Sequence, residues 1–230
     1  MGKIKAVVFD MFNTLVEDGD SYWEQTFEHI VERQGLALSG RVLRREWCLI
    51  DEQYRAKRGV VGWPFYTYRE AWEKSFQVVY SNIGASCNVG DSIEVIVSDM
   101  VKRPLFPETL SALDSIGKKV NISLLSNADD VFLGPVVGRI GKTFGCVISS
   151  ESSRCYKPNP KIFNDVAQQL KLRPDQLLYV GDRQWEDVHG PKLCGMATAW
   201  INRDHVPKDP NLSEPDHIIT SLCEVSKLIN

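Results

Sequence analysis

Ala6-Val7-Val8-Phe9-Asp10-Met11-Phe12-Asn13-Thr14-Leu15-Val16 is a β-branched and aromatic run that ends on a carboxylate and a turn. Val7, Val8 and Phe9 show no polar alternation, the pattern of a strand covered on both faces in a parallel sheet. Asp10 then stands at the carboxyl end of that strand, where open α/β sheets bind ligands because the loops diverge into a crevice. An Asp so placed suits nucleophilic attack, since aspartyl intermediates are an established form of covalent catalysis. The backbone N–H groups of the Asn13-Thr14 turn are expected to face the same crevice. A turn-capping role for Asp10 explains the same residues.

Three later stretches end in the same way. Ser126 and Asn127 follow a buried run at 122–125, and could hold an anionic oxygen through the Ser hydroxyl and the next N–H; both are also common turn residues. Lys157 lies in Tyr156-Lys157-Pro158-Asn159-Pro160, where two prolines stiffen the loop around a flexible cation; the alternative is a solvated loop lysine. Asp182 and Asp187, in Gly181-Asp182-Arg183-Gln184-Trp185-Glu186-Asp187-Val188, stand at a strand end and in a first helical turn, where acids also serve as caps. Three carboxylates and one lysine leave a net negative crevice. Crowded carboxylates either raise each other's pKa or bind a cation, and an all-oxygen site completed by substrate and water suits Mg²⁺.

Between the first strand and residue 103 the pattern is helical. Ser21 with Glu24 reads as a capping box, with Trp23, Phe27, Ile30 and Val31 at helical spacing up to Gly35. Ser39 opens a second helix carrying Leu43, Trp47, Ile50 and Tyr54, ending at Gly59. A third spans 68–83, and a fourth is capped by Asp91 and Glu94. Four helices interrupting an α/β pattern indicate an inserted helical domain, 17–103, between core segments 1–16 and 104–230. From Pro107 onward helices and strands alternate: helix to Gly117, strand 120–125, a broken helix beyond Asp130, strand 145–148, helix 160–170, strand 177–181, helix 186–194 and strand 197–201. That alternation implies a parallel sheet with right-handed crossovers. The expected fold is α/β, a Rossmann-like parallel-sheet core with an α-helical insert.

With 230 residues, 43% hydrophobic and 25% charged, the chain has the composition of a globular protein with a sizeable core. Its net charge of −3 comes without a basic run, which argues against nucleic acid or membrane partners and for a small anionic substrate. Cys48, Cys87, Cys146, Cys155, Cys194 and Cys223 are scattered without CxxC spacing, so no zinc site or disulfide framework is indicated. Together with the lack of a signal-like or bilayer-length apolar segment, this gives a cytoplasmic expectation.

FDMFNTLV at Asp10, LLSNAD at Ser126, YKPNPKIF at Lys157 and VGDRQWEDVHGPKLCGMAT at Asp182 together resemble the motifs of the haloacid dehalogenase superfamily of aspartate-nucleophile hydrolases. The resemblance implies a type I helical cap for the insert and Asp10 as nucleophile. Thr14, Ser126 and Asn127 would position the transferring group, and Lys157 would neutralise charge. Asp10, the Phe12 carbonyl and Asp182 would hold Mg²⁺, with Asp187 in support.

Two departures pull in opposite directions. Family phosphatases carry an acid two residues after the nucleophile, worth about 10²–10⁴-fold as a proton donor and acceptor; this chain has Phe12. Haloacid dehalogenases carry an aromatic there, because halide leaves without a proton. Yet dehalogenases show a Ser-x-Asn-x-x-Asp pattern in the last motif and use no metal, whereas Asp182 and Asp187 follow the phosphatase spacing. Dehalogenases also place Tyr where this chain has Phe163, and their cap arginine has no match beside Trp47 and Cys48. The expectation is therefore Mg²⁺-dependent hydrolysis of a small phosphorylated metabolite with a good leaving group. The alternatives are a metal-independent 2-haloacid dehalogenase and a low-turnover binding or regulatory protein. Gly59-Val60-Val61-Gly62-Trp63-Pro64-Phe65-Tyr66 is expected to be a specificity loop, and Arg41, Arg44 and Arg45 are candidate contacts for an anion.

Overall fold

The computed structural model describes residues 3–58 and 63–229. Its contacts group the chain into two compact units, one of Met1–Glu17, Pro104–Asn127 and Val137–Asn230, the other of Asp18–Arg103 and Ala128–Val136.

The second unit is built on α1 (Asp20–Gln34), α2 (Gly40–Arg55), α3 (Tyr68–Asn82) and α4 (Val89–Lys102). Apolar residues at helical spacing bury one face of each helix. Phe27, Trp47 and Phe76 meet in a ring cluster with centroids 5.3–6.0 Å apart, the offset range in which aromatic pairs attract. Phe132 stacks on Trp72 at 5.8 Å, and the Asp129 carboxylate accepts the backbone N–H groups of Tyr68 and Arg69, both at 2.8 Å. Those contacts tie 128–136 to the first turn of α3, whose orphan donors need acceptors. The Ser21 capping box does not form: α1 starts two residues earlier than that cap would set it, at Asp20 with Gly19 at the cap. For α4 the cap is Asn88, which accepts from Asp91, rather than Asp91 itself. Of the expected specificity loop, 59–62 lies outside the described residues.

The first unit holds six strands, β1 (Ala6–Phe9), β2 (Asn121–Ser126), β3 (Val147–Ser149), β4 (Leu177–Gly181), β5 (Ala197–Ile201) and β6 (His217–Ile219), in the order β3-β2-β1-β4-β5-β6. Every pairing is parallel, and Val8 registers between Ser123 and Tyr179. β1 and β4 are buried along their full length, as central parallel strands must be. The remaining helices are α5 (Thr109–Gly117), α6 (Asp130–Ile140), α7 (Ser150–Ser153), α8 (Pro160–Leu170), α9 (Gly190–Leu193) and α10 (Val225–Leu228). The expected helix 186–194 is two pieces, a π-helical turn over Gln184–His189 followed by α9. This is the Rossmann-like α/β arrangement, and its strand order turns back at β1, where such sheets open a crevice. No described helix is long and apolar enough to cross a membrane.

Candidate active site

β1, β2 and β4 deliver Asp10, Ser126 and Asp182 to one edge, and the loop beyond α7 brings Lys157 to them. The Ser126 hydroxyl donates to Asp10 Oδ1 at 2.8 Å, and Lys157 Nζ lies 3.0 Å from the same oxygen. Both contacts fall on the same carboxylate oxygen, Oδ1. Lys157 Nζ also reaches Asp187 Oδ1 at 2.6 Å and the Tyr179 hydroxyl at 2.9 Å. An ammonium has three donors, and here each has an acceptor. The backbone of Lys157 is fixed as well: its N–H donates to Asn127 Oδ1 at 2.8 Å, and Asn127 Nδ2 donates to its carbonyl at 3.3 Å. The Asn127 side chain therefore grips the lysine loop.

The turn after Asp10 differs from expectation. Asn13 takes a left-handed conformation with φ 60°. Its N–H donates to the Val16 carbonyl, while the N–H groups of Thr14, Leu15 and Val16 all point to the Met11 carbonyl. Those four amides close the turn on itself and so do not serve the crevice. The Thr14 hydroxyl remains, 3.5 Å from Asp182 Oδ1. Phe12 is half-buried within this turn.

Asp187 is fully buried and accepts the Arg183 N–H through Oδ2 at 3.0 Å while Oδ1 faces Lys157. Its carboxylate lies against Gly181, where a Cβ would stand 2.4 Å from Asp187 Cγ. A side chain at 181 would displace the acid, so the glycine is required by close approach rather than by φ.

Burial shifts this cluster. It raises Asp10 above the ordinary carboxylate range; Lys157 opposes that rise and Asp187 reinforces it. It raises Asp182 further, helped by the charges of Asp187 and Asp10. Burial would lower Lys157, but Asp10 and Asp187 outweigh it and hold the ammonium well above its usual value. One oxygen from each of Asp10, Asp182 and Asp187 lies within 4.8 Å of the others, a spacing that fits a cation. The charge excess is also eased without a cation, because Lys157 pairs with Asp10 and Asp187 and burial shifts Asp182 toward its neutral form.

Tyr179 and Arg203 were not singled out by the sequence. Tyr179 is buried edge-on to Phe163 at 5.5 Å and brings a phenol to Lys157 beside that apolar ring. Its only sequence signal is a hydroxyl inside an otherwise apolar strand. Arg203 donates to the carbonyls of Asn13 and Thr14. Arg44 pairs with Asp20, Arg45 with Glu46 and Arg41 with Glu24, so the three candidate anion contacts already face acids.

Similarity to known proteins extends over the whole chain. (S)-2-haloacid dehalogenase 2 of Pseudomonas sp. (strain CBS-3) is 26% identical, with 100% of this chain and 97% of that protein aligned. Haloacetate dehalogenase H-2 of Moraxella sp. (strain B) is 25% identical over 100% of this chain and 99% of its own. The structure of L-2-haloacid dehalogenase from Xanthobacter autotrophicus shares the fold, with a TM-score of 0.78 at 20% identity and 98% of both chains covered. These relatives overturn the expected Mg²⁺-dependent phosphohydrolase, and Mg²⁺ as cofactor falls with it. The expectation rested on the formal charge of the three acids, whereas burial and the neighbouring Asp187 and Asp10 raise Asp182 in the folded chain. A model of haloacid dehalogenase-like hydrolases matches residues 4–195, and the chain belongs to that hydrolase family.

Proposed function

We propose that the protein is a metal-independent 2-haloacid dehalogenase with Asp10 as nucleophile. Asp10 Oδ2 attacks the carbon that bears the halogen; the new C–O bond forms as the C–halogen bond breaks, and halide leaves with the electron pair. Phe12 is compatible with this step, since halide needs no proton. Water then adds to the Asp10 carbonyl of the ester, releasing the 2-hydroxy acid and restoring the carboxylate, with one proton passing to solvent.

The observation that carries the reading is the polar pairing on a single oxygen of Asp10. Oδ1 becomes the ester carbonyl oxygen, and Ser126 at 2.8 Å and Lys157 at 3.0 Å are in position to stabilise the negative charge that develops there as water adds. In this reading segments 1–16 and 104–230 carry the chemistry, and 17–103 is a separate helical insert.

The test is chloride release from (S)-2-chloropropanoate in the presence of EDTA. Release by the wild type that is lost in Asp10→Asn supports the proposal; abolition by EDTA, or full retention in Asp10→Asn, contradicts it.

A further inference from the structure

Carbonyls of the catalytic turn need partners as much as its amides do. Met11 O receives three turn amides, Val16 O receives Asn13 N, and Leu15 O receives Phe106 N and the Thr109 hydroxyl. The carbonyls of Asn13 and Thr14 are held differently. One guanidinium, that of Arg203, donates to Asn13 O through Nη1 at 3.0 Å and to Thr14 O through Nη2 at 3.1 Å. Glu108 Oε1 orients the same group at 3.0 Å, and the Phe106 ring lies 3.7 Å below it.

We infer that Arg203 is a positioning residue for the nucleophile turn, acting through the backbone of Asn13 and Thr14. A non-glycine residue at φ 60° persists when its surroundings over-determine it. A fork of two donors on adjacent carbonyls does so, in a way that a point charge cannot. Arg203 stands outside the matched stretch 4–195, and it joins the loop after β5 to the residues that set the direction of Asp10. Loss of the clamp lets Asn13 relax and lets Thr14 drift from Asp182, so the reaction slows while substrate affinity holds.

The inference rests on Asp10 as the nucleophile, and the test separates the two. Arg203→Ala is expected to lower kcat about 10²-fold, the scale of a 1 Å misplacement, with KM nearly unchanged. Millimolar methylguanidinium should restore part of that kcat, whereas Arg203→Lys should recover little of it. Unchanged kcat, or a loss that follows thermal unfolding and ignores methylguanidinium, overturns the inference. Hydrogen exchange at the amides of residues 13–16 provides a readout without turnover. Faster exchange in Arg203→Ala supports the clamp even if the wild type releases no halide, an outcome that would remove the dehalogenase reading alone; unchanged exchange overturns the clamp.

Discussion

The carboxyl edge of the sheet and the helical unit both bury polar atoms, yet they treat them differently. At the sheet edge Lys157 has an acceptor for every proton, within 2.6–3.0 Å. In the helical unit the indole nitrogens of Trp47 and Trp72 and one oxygen of Asp51 are buried without a hydrogen-bond partner among the described residues. The first region is held by directed pairing, whereas the second combines directed contacts, such as Asp129 on the first turn of α3, with packed rings whose indole nitrogens are left out of that pairing. Removal of a single partner should therefore disrupt the sheet edge, while the helical unit should tolerate loss of an unpartnered indole N–H.

Lys157→Met provides the strongest contrast. It leaves the Asp187 charge buried without its cation, an outcome that costs about 3–5 kcal/mol, and under the proposed mechanism it removes the charge that would stabilise the oxyanion formed as water adds to the ester. Urea unfolding should show the first effect and halide release the second. Gly181→Ala should follow closely, because the new Cβ meets the Asp187 carboxylate at 2.4–2.6 Å; a loss of about 1–3 kcal/mol is expected from overpacking.

Asp182→Asn tests the charge state directly. Folded Asp182 keeps its proton to higher pH than the unfolded chain does, whose value is near 3.8. Between those two values the folded state binds more protons, so the stability due to Asp182 is complete below 3.8 and is lost as pH rises through the raised value. The Asn variant lacks that loss. Its advantage in unfolding free energy should be absent in acid and grow toward neutral pH; an advantage that shrinks as pH rises would reverse the assignment.

Trp47→Phe should give the smallest change. It removes an unpartnered N–H, a gain of about 1–3 kcal/mol, against a comparable loss from reduced ring volume. Near-neutral thermal stability would sharpen the contrast between the regions, and a large loss would break it.

Legibility in the sequence follows the same division. Strands 177–181 and 197–201 and helix 160–170 were readable to the residue, because apolar runs bounded by Gly or Pro leave little choice. The four motif stretches were readable too, since three of them end a strand on a polar residue and the fourth sets Lys157 in a loop stiffened by two prolines. Roles that depend on contacts through space were not. Arg203 lies 190 positions from Asn13, and Asp129 caps α3 from 60 and 61 positions away. The π-helical turn was hidden because Glu186 to Cys194 carries an ordinary helical pattern, whereas Asp187 is drawn inward to Lys157. The expected metal dependence rested on charge that is formal in a sequence, whereas in the folded chain burial and neighbouring acids raise Asp182.

The most direct test is a single turnover of excess enzyme on (S)-2-chloropropanoate in ¹⁸O-water containing EDTA, followed by mass spectrometry of product and of the peptide bearing Asp10. The account predicts ¹⁸O in the Asp10 carboxylate and an unlabelled hydroxyl in the first 2-hydroxy acid released. Label found directly in the product, with Asp10 unlabelled, would contradict it.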